Sequence, residues 1–262
     1  MKLITLNIWG GRVHDALAEF FTKHQDVDIF CFQEVFRLLD SGVVPESIAR
    51  FAGYEPDTDL FCTLKRYLSS HKGHFCQTFK ETYGVAIFLK PHIQIIRQGE
   101  VFVAKGDWDN GKGWDDSDHD RKIQWMECSS QGTQLTVKDK KFSIINTHLT
   151  HRPEGKIDSP KRIQQSKTIS EFIKNTTGPK IMAGDFNLLP DTQSIKMIED
   201  AGMRNLVKDY KVSSTRTKLY RKFVNGPKFA DYIFSSSDIQ INDFRVLPDI
   251  VSDHAPLFID FW

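Results

Sequence analysis

Short apolar runs alternate along this chain with stretches whose apolar residues recur every three or four positions. The apolar runs, some broken by polar residues, predict strands at Leu3–Ile8 and Val27–Phe32, both buried, and at Gly84–Leu89, Ile93–Val103, Ile123–Cys128, Gln134–Val137, Phe142–Thr147, Lys180–Ala183, Phe229–Phe234, Ile239–Val246 and Leu257–Phe261. The helical spacing predicts helices over Val13–His24 and Asp158–Lys174. Start and stop residues add Pro45–Ala52, with Pro in its first turn, and Asp191–Asp200, capped by Asp191 and ending near Gly202. Strands outnumber helices, and helices fall in both halves. That order fits stacked sheets with helices outside them, an α/β class. No Pro/Ser-rich linker and no repeat period divides residues 1–262, which are expected to form one domain.

Composition narrows this picture only a little. The 262 residues are 40% hydrophobic and 26% charged, enough to bury a large core, and twenty Phe supply bulky material for it. The net charge of +1 leaves no molecule-wide field that would draw nucleic acid or an anionic membrane, so any substrate electrostatics must be local. Cys31, Cys62, Cys76 and Cys128 are scattered and form no C-x-x-C pair, which removes support for zinc and redox motifs. Cys31 reads as a small core residue in the run Ile29–Phe32, and a reducing compartment is the simplest expectation. Leu3–Ile8 is too short for a signal-peptide core, and no run reaches membrane-spanning length. A soluble, cytoplasmic monomer without stable membrane insertion is expected, although export without a cleavable leader would give the same pattern.

The chemistry lies at the ends of the predicted strands. Asn7 interrupts the first run. Gln33-Glu34 follows the second, Asn146-Thr147-His148 follows Phe142–Ile145, Gly184-Asp185-Phe186-Asn187 follows Ile181–Ala183, and Ser252-Asp253-His254 precedes the last strand. Strand ends are where a rigid scaffold presents groups to a cleft. Glu34, Asp185 and Asp253 are hard oxygen ligands suited to Mg²⁺, Asn7 and Asn187 hydrogen-bond without adding charge, and His148 and His254 titrate near neutrality. Together these groups suit an in-line displacement at phosphorus.

Taken in order, Leu6-Asn7-Ile8-Trp9, Phe32-Gln33-Glu34-Val35, Tyr83–Ile87, Asn146-Thr147-His148-Leu149, Ala183–Asn187, Ala230-Asp231-Tyr232-Ile233 and Ser252–Leu257 resemble the motifs of the endonuclease/exonuclease/phosphatase superfamily. The resemblance spans residues 3 to 259 and implies a four-layer α/β/β/α sandwich, deoxyribonuclease I-like. It implies Glu34 as principal Mg²⁺ ligand (Mn²⁺ being the alternative), with Asp253 beside the metal and Asn7 close by. It further implies that Asp185 orients or deprotonates the attacking water, that Asn187 holds water and phosphate, that Asp231 fixes the tautomer of His254, and that His254 contacts the scissile phosphate. His148 stands where the deoxyribonuclease I and sphingomyelinase branches carry His and the apurinic endonucleases carry Tyr, which argues against an abasic-site enzyme. Each residue taken singly has a plainer reading: Asn7 as a strand-ending turn, Glu34 as half of a salt bridge, Asp185 and Asn187 as an Asx-turn. Only the ordered set requires more.

Around this set the readings stay open. His151 and Arg152 either touch substrate or belong to a solvated loop, and Arg162 either reaches a phosphate or is a helix-surface charge. Lys211–Lys228 holds six Lys/Arg, including Arg216, with Tyr220 and Phe223 and no acid. It suits a phosphate backbone or a solvated loop. Asp107–Asp120 carries six Asp, but its Gly111 falls one position early for a calcium loop, so an acidic surface loop is expected. The functional expectation is a Mg²⁺-dependent phosphodiesterase, a nuclease on DNA or RNA first. A sphingomyelinase-like, phosphoinositide or small-nucleotide phosphoesterase is the alternative, and a catalytically dead binding module on the same scaffold the contrasting class.

Overall fold

A computed structural model of the chain describes residues 1–37, 56–79, 82–106, 120–130, 140–151 and 155–262. The predicted helix at Pro45–Ala52, the predicted strand at Gln134–Val137 and nearly all of the Asp107–Asp120 loop lie outside these residues. The strands are β1 (Lys2–Asn7), β2 (Ile29–Phe36), β3 (Lys72–Phe79), β4 (Tyr83–Leu89), β5 (Ile93–Ala104), β6 (Arg121–Ser130), β7 (Lys140–His148), β8 (Lys180–Asp185), β9 (Met203–Asn205), β10 (Asp231–Ser236), β11 (Ile241–Val246) and β12 (Leu257–Phe261). The helices are α1 (His14–Lys23), α2 (Leu60–Tyr67), α3 (Pro160–Asn175), α4 (Gln193–Asp200) and the single turn α5 (Leu206–Asp209), with a 3-10 turn at Trp9–Gly11.

Two six-stranded sheets result, in the orders β11-β12-β1-β2-β4-β3 and β5-β6-β7-β8-β10-β9. Each has one parallel pair near its centre, β1 with β2 and β7 with β8, and antiparallel neighbours elsewhere. Both faces of these central strands are buried, which is why they read as continuous apolar runs. On β1 and β2 the alternation divides the side chains. Leu3, Ile29 and Cys31 join the core between the sheets with Ile144, Ile181 and Ile233. Ile4, Leu6, Phe30 and Phe32 face outward under Leu17, Phe20 and Phe21 of α1 and Leu60 and Leu64 of α2. On the far side α3 contributes Ile169 and Ile173, and α4 Ile195 and Ile198. The α/β/β/α sandwich implied by the sequence is therefore the fold.

A buried polar clasp ties the two sheets together. The Gln33 amide donates to Asn146 Oδ1 at 2.7 Å, and the Asn146 amide donates to the carbonyls of Phe32 and Ala86 at 3.1 and 3.2 Å. Asn146, read as part of a chemical motif, thus holds the layers in register.

Two helix starts differ from expectation. Ser159 caps α3, with Pro160 in its first turn, and Thr192, not Asp191, caps α4. Asp158, expected inside the first of these helices, instead accepts from the backbone N–H groups of Gln193 and Ser194 at 2.7 and 2.9 Å and supports the start of α4. The helix α2 and the strands β3 and β9 have no counterpart in the apolar pattern. Among the described residues no helix is long and apolar enough to cross a membrane.

Candidate active site

The parallel pairs aim their C-terminal ends the same way, and that geometry gathers the polar residues. Asn7 ends β1, Glu34 lies near the end of β2, His148 ends β7 and Asp185 ends β8. Because β10 runs antiparallel to β8, its first residue, Asp231, sits directly across from Asp185. Asp253 and His254 precede β12, and Ser252 anchors them by donating its hydroxyl to the Asn7 carbonyl at 2.7 Å and accepting from the His254 N–H at 3.1 Å.

Local backbone distortions set the side-chain directions. The β2–β4 register shifts between Phe32 and Val35, and within that bulge Glu34 adopts a φ of 58°. Asn187 likewise has a φ of 56°. Non-glycine residues held in the left-handed region cost free energy and occur where the surroundings fix them, often at working sites. Gly184 has a φ of 143°, and a Cβ there would meet the Thr147 carbonyl oxygen at 2.1 Å, so β7 and β8 come together only over a glycine.

Asp185 is the hub. Its Oδ2 accepts from Asn7 Nδ2 at 3.0 Å, and the Nε2 atoms of both His148 and His254 lie 3.7 Å from the same oxygen. Its Oδ1 accepts from the Asn187 N–H at 2.9 Å. The same Asn7 amide also donates to Glu34 Oε1 at 2.9 Å, linking the two acids. His254 Nδ1 sits 2.8 and 2.9 Å from the two oxygens of Asp231, the pairing expected from the sequence. All eight predicted catalytic and metal residues therefore fall in one connected network.

Two cations share this network. Residues 215–217 run beside 253–255, with Ala255 N–H donating to Thr215 at 3.0 Å and Thr217 N–H to Asp253 at 3.1 Å. This brings Arg216 inside, where its Nη1 donates to Asp253 Oδ2 at 3.1 Å and to His254 Nε2 at 2.5 Å. Lys156 was not anticipated. Its carbonyl accepts from Leu189 N–H at 2.9 Å, and its ammonium donates to Asn187 Oδ1, which His151 Nδ1 also approaches at 3.0 Å. No pattern in the sequence marks Lys156. Its only signal is its place on the segment linking the His148 strand to α3.

Burial and charge set the protonation states. Burial and the Arg216 guanidinium pull His254 down to about 3, so its ring is neutral, with Nδ1 carrying the proton toward Asp231 and Nε2 accepting from Arg216. Burial alone would raise Asp185, but the nearby cations Lys156 and Arg216 are among the groups that hold its carboxyl well below the usual carboxylate range. Burial and the neighbouring Asp185 raise Asp231. Burial lowers Lys156 to about 8.

Arg162 does not fit the role of phosphate contact. It is 1% exposed, and it donates to the carbonyls of Thr150 at 3.1 and 3.2 Å, of His151 at 2.7 Å, and of Ile157. It braces the segment that carries His151 and Lys156. His151 is half-buried beside Asn187, and Arg152 lies outside the described residues.

The donor set fits a hard cation. Asp253 Oδ1 is buried without a hydrogen-bond partner, and the buried ligand atoms of Asp185, Asp231 and His254 lie within 4.8 Å of one another. Asp231 and His254 are hydrogen-bonded to each other within that cluster.

Two sheets that converge acids, imidazoles and amides on one set of strand ends define the class of phosphoester-hydrolase scaffolds. The chain belongs to the Endonuclease/Exonuclease/phosphatase family, whose model matches residues 4–254. Among solved structures, a mannosyl-6-phosphatase of Bacteroides thetaiotaomicron is 20% identical, with a TM-score of 0.70 over 100% of this chain and 99% of that one. TDP2 of D. rerio, complexed with a single strand DNA product, is 15% identical, with a TM-score of 0.69 over 100% and 98%. The human Nocturnin catalytic domain with a bound sulfate anion is 15% identical, with a TM-score of 0.64 over 100% and 93%. At these identities the likeness is one of fold. No curated protein matches the sequence.

Proposed function

We propose that this chain is a Mg²⁺-dependent hydrolase of phosphoesters, and the observation that carries the reading is the convergence of Asn7, His148 and His254 on one oxygen of a buried, ionised Asp185. Glu34 and Asp253, with Asn7 beside them, would hold the cation. When bound, it would supply positive charge opposite the phosphate oxygens. Asp185 orients the attacking water. A carboxylate with so low a proton affinity is better suited to aligning that water than to keeping its proton. Asn187, fixed by Asp185, Leu149 and Lys156, offers an amide to the same water or to a phosphate oxygen. His254, its tautomer set by Asp231, lies with His148 on the Asp185 hub and serves proton transfer.

The names of the structural neighbours support phosphorus as the reacting centre, since one is a sugar phosphatase and another holds a DNA product. They leave monoesters and diesters both within the class. A panel of plasmid, single-stranded DNA, RNA, bis-p-nitrophenyl phosphate, p-nitrophenyl phosphate, sphingomyelin and phosphoinositides, each with Mg²⁺ and with EDTA, tests the reading. Glu34→Gln is expected to abolish turnover while leaving the melting temperature within a few degrees of wild type. Metal-independent turnover, or full activity in Glu34→Gln, would remove this mechanism.

A further inference from the structure

We propose that Lys156 and Arg216 form a two-cation clamp for the doubly charged phosphate of a phosphomonoester, so that this site selects terminal phosphate groups over phosphodiesters. The inference rests on the hydrolase reading above and adds the substrate class. Lys156 is 5% exposed and Arg216 6%. Buried cations are rare unless opposing charge meets them; Asp253 meets Arg216 at 3.1 Å, and Asp185 is foremost among the acids acting on Lys156. Both join the network around Asp185, Lys156 through Asn187 and Arg216 through His254 and Asp253.

Arg216 has spare capacity. Its Nε is buried with no hydrogen-bond partner, while its guanidinium lies 4.5 Å from the Tyr220 ring, which braces the plane of the fork. A planar fork with an unspent donor suits two oxygens of one phosphate. Lys156 is a point charge whose burial lowers its proton affinity, and an arriving anion would restore it. A phosphodiester brings one charge and two non-bridging oxygens, whereas a monoester dianion brings two charges and three oxygens. Two fixed cations beside a metal-ligating pair of carboxylates match the second. Lys211, Lys218, Arg221 and Lys222, from the same basic stretch as Arg216, are exposed. Among the described residues, Arg216 is the basic side chain of that stretch that contacts Asp253 and His254.

The test compares kcat/KM for p-nitrophenyl phosphate and bis-p-nitrophenyl phosphate with Mg²⁺, and measures inorganic phosphate binding to the metal-free protein by calorimetry. Wild type is expected to favour the monoester by at least about tenfold. Lys156→Met and Arg216→Gln should each lower monoester kcat/KM and phosphate affinity by about 30-fold, the worth of one charge-assisted hydrogen bond, and lower diester kcat/KM severalfold less. A wild-type preference for the diester, or variants that bind phosphate as wild type does and slow both substrates equally, would overturn the clamp. Should Lys156→Met fail to fold, Arg216→Gln and the wild-type preference decide. Phosphate binding without Mg²⁺-dependent turnover of either probe would instead defeat the hydrolase reading and leave the clamp standing.

Discussion

Replacing Arg162 by Met separates a phosphate contact from a structural brace. The guanidinium makes four N–H···O contacts to three backbone carbonyls, those of Thr150, His151 and Ile157. Met fills similar volume but donates nothing. Each buried carbonyl left without its donor costs about 1–3 kcal/mol. Thr150 is 1% exposed and bears the full cost, whereas His151 is half-buried and regains water. Relief of the buried charge offsets part of the loss. Ile157 is exposed, so its carbonyl also regains water, and a net destabilisation of about 1–3 kcal/mol follows, a melting shift on the order of 5 °C for a chain of this size. Urea or thermal unfolding measures it, with kcat/KM assayed well below the transition. A wild-type melting temperature together with a raised KM would refute the bracing argument and return Arg162 to the substrate.

Further substitutions probe the rest of the network. Asp231→Asn frees the His254 ring to take the wrong tautomer, and kcat is expected to fall by about 10²- to 10⁴-fold with little change in stability, as steady-state kinetics and melting will show. Asn146→Leu removes three hydrogen bonds from the inter-sheet clasp and should cost about 3 kcal/mol in chemical denaturation. The Lys156 ammonium, lowered by burial to about 8, loses its charge as pH rises through that value, so phosphomonoester kcat/KM should decline above about pH 8. Lys156→Arg, charged throughout, should remove that alkaline limb, and an unchanged profile would show that Lys156 does not govern it.

The sheets and the acid, amide and imidazole residues at their ends were legible because strands buried on both faces leave continuous apolar runs, and a polar residue ending such a run is conspicuous. Glu34, His148 and Asp185 follow such runs and Asn7 interrupts one, whereas Asp231 lies inside the predicted strand Phe229–Phe234 and was legible only through the family resemblance. What stayed hidden depends on tertiary placement. Lys156 looks like any loop lysine until α3 and the Leu189 segment close over it. Arg162 has a helix-surface sequence context, yet among the described residues its guanidinium donates to the backbone carbonyls of Thr150, His151 and Ile157, which leave no trace in residue identity. Strand β3 alternates weakly because it is an edge strand, and α2 is too short to establish a period. The caps at Ser159 and Thr192 competed with nearby Asp158 and Asp191, and only geometry chooses among neighbouring oxygens.

The pairing of β1 with β12 has a consequence for biosynthesis. Leu3 lies opposite Ile259, so the strand that carries Asn7 emerges from the ribosome long before its neighbour. At typical elongation rates that wait lasts roughly 10–50 s. Until then one side of β1 offers unpaired peptide groups, and Asn7 lacks the Ser252 hydroxyl that secures His254 beside it. The network around Asp185 is thus completed only when the segment carrying Ser252 and His254 folds back beside β1.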